Sequence, residues 1–190
     1  MSSLAFLSST GGTNLQSFID AKARGDFEPR IACLITNKLD CGAAEKAKAV
    51  GIPVYFVDPS GKSREQYDRE VMEVLEHCAP DLVVLGGYMR IIGPEMVRAY
   101  PRKIVNVHPS LLPKHAGLMA MQAHQAVLDA GESETGMTIH FVDEGVDTGE
   151  VVLQKSVPVN VGDTADILKD KVQALEKEWY PKVVQHLLEA

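Results

Sequence analysis

The sequence predicts an α/β fold with a doubly wound, mostly parallel twisted sheet flanked by helices, and three observations carry that expectation. Short apolar runs alternate with helical patterns four times by residue 85, as repeated strand–helix–strand units require. The run Leu82-Val83-Val84-Leu85 is apolar without interruption, which suits a strand covered on both faces. A glycine turn, Thr10-Gly11-Gly12-Thr13, separates the first strand from the first helix.

In chain order, Leu4-Ala5-Phe6-Leu7 reads as the first strand, and a helix runs from near Asn14 to about Arg24-Gly25. Ile31 to Ile35 is the second strand, Ala43 to Val50 a helix closed by Gly51, and Pro53 to Val57 the third strand. Ser63 opens a long helix in which Tyr67, Val71, Val74 and Cys78 recur at steps of four and three, the spacing of one buried stripe. Pro80 ends it. The Leu82–Leu85 strand is followed by a helix after Pro94, a strand from Ile104 to His108, and an irregular stretch from Pro109 to about Met121. That stretch is long for a plain connection and reads as a lid. A helix (Gln122 to Ala130) and two strands (Met137 to Val142, Val151 to Val159) precede a last helix opening near Asp163 or Thr164. Its expected apolar stripe is Leu168, Val172, Leu175, Trp179, Val183 and Leu187, and Pro181 within it is expected to kink or split the helix.

The chain has 190 residues, 45% of them hydrophobic and 24% charged, enough to bury a core and too apolar for a disordered chain. No apolar run approaches the ~20 residues of a membrane span, and the N-terminus lacks signal-peptide features. No linker or internal repeat divides the chain, so 1–190 is expected to be a single domain. Cys33, Cys41 and Cys78 are odd in number and widely spaced, which points to reduced thiols in a cytoplasmic protein. A net charge of −7 without a basic cluster argues against nucleic acid and leaves small-molecule chemistry as the leading class.

Ligands of open α/β sheets bind beyond the carboxyl ends of strands, and three segments are expected at such ends. Ser8 through Asn14 combines glycines and hydroxyls (Ser9, Thr10, Thr13) with a helix start, which suits an anion or equally a plain capped turn. It lacks the Lys-Ser/Thr ending of a P-loop and the full dinucleotide fingerprint. Asn106 and His108 alternate on a strand and so share one face, either as an oxyanion-stabilising pair or as polar residues satisfying a strand end. Asp143, Glu144, Asp147 and Glu150 crowd one glycine-rich loop that suits a solvated turn, or holds one carboxylate as proton acceptor. The spacing is not that of a calcium loop. There is no Gly-x-Ser-x-Gly elbow and no His-Glu-x-x-His, and His108, His115, His124 and His140 lack metal-ligand spacing, so no metal is expected.

Together these residues resemble the folate-dependent formyltransferase family, most closely its members acting on glycinamide ribonucleotide. The resemblance rests on Gly12-Thr13-Asn14-Leu15-Gln16, on Leu85 through Ile91, and on Asn106-Val107-His108-Pro109-Ser110-Leu111-Leu112-Pro113. Gly136 through Gln154 matches too, including His140-Phe141-Val142 and Val146-Asp147-Thr148-Gly149. It implies a formyltransferase-type Rossmann-like fold, with 1–100 a nucleotide-binding half and 101–190 a catalytic and folate-binding half. The implied reaction moves the formyl group of 10-formyltetrahydrofolate to the amine of glycinamide ribonucleotide in purine synthesis, through a tetrahedral intermediate.

Carried over by position, Asn106, His108 and Asp147 are the implied catalytic set. Gly12, Thr13 and Asn14 would hold the substrate phosphate, with Glu176 and Gln173 reaching the ribose. Met89, Arg90, Ile91, Ile92 and Val97 would line the pterin pocket, completed by the loop carrying Asp143, Glu144 and Val146. Where relatives usually have Ser-Gly, a variable residue and Gly, this chain has Ser9-Thr10-Gly11-Gly12, and segment 117–124 is about three residues longer than in some of them. A tRNA-acting member carries a further C-terminal domain and a formyltetrahydrofolate hydrolase an N-terminal one, so the length argues against both. A hydrolase without its regulatory domain and a non-catalytic folate- or nucleotide-binding module are the rival readings. The partners expected are small molecules only, and a homodimer is compatible with the sequence.

Overall fold

The structure is a computed structural model and describes residues 2–189. In chain order the elements are β1 (Ser3–Leu7), α1 (Thr13–Arg24), β2 (Arg30–Thr36), α2 (Gly42–Ala49), β3 (Val54–Phe56), α3 (Arg64–Cys78), β4 (Leu82–Leu85), α4 (Pro94–Ala99), β5 (Ile104–His108), α5 (Met121–Asp129), β6 (Glu134–Phe141), β7 (Val151–Pro158) and α6 (Ala165–Glu189). β1 and β4 are buried at every position, as apolar strands covered by helices on both faces must be.

The seven strands form one sheet in the order β3-β2-β1-β4-β5-β6-β7. The first five are parallel, whereas β6 runs antiparallel to β5 and β7 antiparallel to β6. The chain winds outward from β1 to β3, then returns to β4 on the other side of β1. Strand order therefore reverses between β1 and β4, and the loops leaving them part to open a crevice. The two strands end level, Leu7 opposite Leu85. Gly86 follows at once, because a Cβ there would lie 2.7 Å from the Phe6 ring and 2.9 Å from Asn14 Cβ.

Alternation along β1 assigns its side chains to two cores. Leu4 and Phe6 face α1 and α6, where Phe18 meets Phe6, Phe27 and Tyr180 edge-on at centroid distances of 5.4, 5.2 and 5.4 Å. Ala5 and Leu7 face α3 and α4, against Tyr67, Val71, Leu75 and Met96. The Tyr180 hydroxyl is fully buried and donates to the carbonyls of Leu85 (2.8 Å) and Val105 (3.1 Å), tying α6 to the ends of β4 and β5.

Three elements depart from the sequence reading. The buried line of α3 is Tyr67, Val71 and Leu75, with Val74 and Cys78 half-buried at its flank. Of the two outcomes expected of Pro181, a kink or a split, the split does not occur: α6 is one continuous helix of 25 residues. A proline removes one i→i−4 hydrogen bond and crowds one carbonyl, a local cost that the burial of this side chain offsets. The buried line of α6 runs through Leu168, Val172, Glu176, Tyr180 and Val184, while Leu175, Trp179, Val183 and Leu187 pack half-buried beside it. A purely apolar reading slips off that line because a carboxylate and a phenol occupy its centre. β6 begins three residues before the expected Met137, since pairing with β7 recruits Glu134, Thr135 and Gly136 whatever their polarity.

Replacing Tyr180 by Phe should leave the fold intact but strand a buried carbonyl, lowering the unfolding free energy by about 1–3 kcal/mol in urea titrations. An unchanged midpoint and slope would show that the hydroxyl contributes nothing.

Candidate active site

The segment after β1 turns through Gly12, whose φ of +72° and close approach to α2 both require glycine: a Cβ would lie 2.6 Å from Ala43 Cα. Gly12 caps α1 without a side-chain hydrogen bond, so the first N–H groups of this helix keep their donors free. Thr13 and Asn14, in its first turn, line the main cavity together with Thr10 and Gly11. Gly12 itself does not. The Ser9 hydroxyl is committed elsewhere, donating to Asn37 Oδ1 and accepting the Met89 N–H at 3.2 Å.

Asn14 is buried, and its Nδ2 donates to Glu176 Oε2 at 3.2 Å, while its Oδ1 has no partner. Burial pushes the Glu176 carboxyl up to about 7, opposed by the Asn14 hydrogen bond. Gln173 and Lys169 lie one and two turns earlier on α6 and line the same cavity.

Asn106 and His108 project from β5 into this cavity, as alternation requires. His108 is buried, with Nδ1 3.2 Å from Asp147 Oδ2. Across the register Asn106 faces His140, and Asn106 Nδ2 lies 3.2 Å from His140 Nε2. The Phe141 carbonyl, 2.9 Å from His140 Nδ1, fixes the proton on Nδ1, so Nε2 accepts from Asn106. Asp147 Oδ1 is 3.6 Å from His140 Nε2, and its Oδ2 accepts the Gly117 N–H at 2.9 Å. Burial works against its charge, but the facing His140 imidazole, the hydrogen bond from the Gly117 N–H and the nearby His108 outweigh that and hold its carboxyl below the usual range. Burial also pushes His108 below the ordinary imidazole value, against the pull of Asp147 and the His115 carbonyl.

The loop carrying Asp147 does not emerge where the sequence reading put it. Because β6 is antiparallel, its carboxyl end at Phe141 pairs with Val105 near the start of β5. The loop reaches His108 only by doubling back along β5. Its four acids then part company. Glu144 pairs with Arg98, Glu150 with Arg102, and Asp143 accepts from Thr148 and the Gly145 N–H. Asp147 alone among the four meets the histidines, with its own backbone at φ +56°.

The cavity has a volume of about 430 Å³, ordinary for a small-molecule site. Met89, Ile91 and Val146 line it at 42%, 47% and 45% exposure, apolar surface left open beside the polar cluster. Among the described residues, no three or more His, Cys, Asp or Glu side chains are placed to hold a metal, and no helix is long and apolar enough to cross a membrane.

Residues 2–184 match the family model described as formyl transferase. The chain belongs to the formyl transferase family. A phosphoribosylglycinamide formyltransferase of Haemophilus influenzae is 40% identical, covering 100% of this chain and 88% of that protein. The crystal structure of glycinamide ribonucleotide transformylase 1 from Symbiobacterium toebii has a TM-score of 0.94 at 37% identity, over 100% of this chain and 88% of that one. A formyltetrahydrofolate deformylase from Pseudomonas syringae also shares the fold, with a TM-score of 0.90 but 26% identity, over 99% of this chain and 61% of that one.

In this formyl transferase the cavity gathers Asn106, His108, Asp147, Thr13, Asn14, Gln173, Glu176, Met89, Arg90, Ile91, Ile92, Asp143 and Val146. Val97 instead packs against the α3–α4 core, and Glu144 faces Arg98. Arg90 lines the cavity while its guanidinium stacks on Tyr67 at 4.1 Å. Among the other lining residues, His124, Lys169 and His140 carry polar side chains to which the sequence reading assigns no role. His140 carries a readable signal, a polar side chain two positions from Thr138 that alternates with Met137, Ile139 and Phe141. Lys169 shares a helix face with Gln173; His124 offered no local signal.

Because Glu176 titrates near 7 when folded and near 4.5 when unfolded, the folded state binds its proton more tightly. Stability should therefore fall as pH rises between those values and level off above, by roughly 3 kcal/mol in all. Unfolding measured from pH 4.5 to 8.5 should show this fall in the wild type and a flatter profile in Glu176→Gln; parallel profiles would exclude a buried ionising carboxyl.

Proposed function

We propose that this chain transfers the formyl group of 10-formyltetrahydrofolate to the amine of glycinamide ribonucleotide, a reaction of purine synthesis. The observation that carries the reading is the convergence of Asn106, His108 and Asp147 on one cavity, with His108 Nδ1 and Asp147 Oδ2 3.2 Å apart. Membership of the formyl transferase family and full-length similarity to phosphoribosylglycinamide formyltransferases support it.

Each part of the cavity has a matching part of the substrates. The uncapped start of α1 offers N–H groups and a favourable dipole to a phosphate, so a chain of net charge −7 can take an anion without a basic patch. The unpartnered Asn14 Oδ1, Glu176 and Gln173 supply acceptors and donors for ribose hydroxyls. The apolar side chains of Met89, Ile91, Ile92 and Val146 suit a flat heteroaromatic ring.

Attack of the amine on the formyl carbon forms a tetrahedral centre whose oxygen gains negative charge. Asn106 Nδ2 and a protonated His108 donate to that oxygen, and the imidazolium supports departure of the folate nitrogen. The ionised Asp147 favours the imidazolium and accepts the amine proton, directly or through water. The Gly117 hydrogen bond and the two facing imidazoles favour its ionised form for that role.

Asn106→Ala, His108→Ala and Asp147→Asn should each lower kcat/KM at least ~10²-fold, because each removes a contact made in the transition state. Asn tolerates the left-handed backbone at position 147, so that variant isolates the charge. Near-normal turnover of Asp147→Asn would remove it from the mechanism. In an assay of folate release, dependence on glycinamide ribonucleotide is expected; release without the amine would mark a hydrolase, and no release a binding module.

A further inference from the structure

His108 has two ring nitrogens, and neither is free. Nδ1 faces Asp147, and Nε2 lies 3.2 Å from the backbone carbonyl of His115. The same loop donates the Gly117 N–H to Asp147 Oδ2 at 2.9 Å. The segment read from sequence as a lid is thus docked, through two backbone groups, on both members of the pair.

Glu132, in the turn between α5 and β6, holds that loop in place. Its Oε1 is 2.9 Å from His115 Nε2 and its Oε2 is 3.0 Å from Lys114 Nζ. The side chains of Glu132 and His115 are sheltered, at 16% and 14% exposure. Ser110 Oγ adds a hydrogen bond to the Lys114 carbonyl at 2.7 Å. His115 has φ +58°, a backbone state uncommon for residues other than glycine, so contacts as well as local preference keep the carbonyl in place.

We infer that the His115 carbonyl occupies the position at His108 Nε2 that the formyl oxygen takes during transfer, and that Glu132 is the positioning residue that keeps it there. The inference rests on the transferase reading, in which His108 donates to that oxygen. With Nδ1 held by Asp147, Nε2 is the nitrogen left to do so, and the donor must first displace one carbonyl oxygen with another. A ligand that binds only the uncapped molecules shows an affinity reduced by their fraction. Glu132 therefore acts on the apparent affinity for the formyl donor, through His115, and not on the chemical step.

The test is steady-state kinetics of Glu132→Ala and Glu132→Gln, with 10-formyltetrahydrofolate varied at saturating amine, alongside amide hydrogen exchange of residues 114–118. In Glu132→Ala, KM for the donor should fall about fivefold, the worth of one such contact, with kcat changed less than about twofold and exchange accelerated. Glu132→Gln should fall between, since an amide has one acceptor oxygen for two donors. A tenfold loss of kcat at constant KM would overturn the inference, because the contact would then organise the working state. Unchanged kinetics, or unchanged exchange, would overturn it as well. A wild type that releases no folate in the presence of the amine overturns the functional reading instead, and the exchange experiment still reads the contact.

Discussion

The candidate active site hangs from the register between β5 and β6. Pairing Asn106 with His140 and His108 with Thr138 sets two histidines and a carboxamide on one face of adjacent strands. It also puts the buried Thr138 hydroxyl beneath the chain that follows His108. That hydroxyl donates to the Ser110 carbonyl at 2.7 Å and accepts the Leu112 N–H at 3.0 Å, and Gln154 from β7 joins both Thr138 and the Leu112 carbonyl. A slip of one residue would turn every side chain of the pair to the other face. The loop docked on His108 thus starts from a point fixed by a hydroxyl two strands deep in the sheet.

The parallel half of the fold was legible because its signals are local. Uninterrupted apolar runs, Gly12, Gly51 and Pro80 mark strands and breaks within a few residues of themselves. What escaped depends on partners distant in sequence. The first residues of β6 are polar or glycine and are strand only because β7 pairs with them. Glu176 sits on the buried line of α6 because Asn14, 162 residues earlier, donates to it. No apolar periodicity marks a carboxylate as interior.

The same division holds for the site. Alternation alone put Asn106 and His108 on one face. Which of the four acids meets them was invisible to spacing, since the choice depends on Arg98 and Arg102 occupying Glu144 and Glu150 and on a loop that doubles back. The resemblance named Asp147, and the geometry gives a physical reason why the other three are spent elsewhere. Val97 shows the opposite case: it follows the cavity-lining Met89–Ile92 run in sequence, but the first turn of α4 aims it into the core.

Ser9 carries a different consequence. Its N–H donates to the Gly87 carbonyl, its hydroxyl binds both Asn37 and the Met89 N–H, and the Thr10 hydroxyl lies where a Cβ on Gly87 would be, at 2.3 Å. The loop that starts α1 and the loop that carries Met89 are therefore stitched into one piece at the crevice. Remodelling one to accept a bulkier ligand would drag the other with it. The two ends of this pocket would have to be altered together, by an engineer or by evolution.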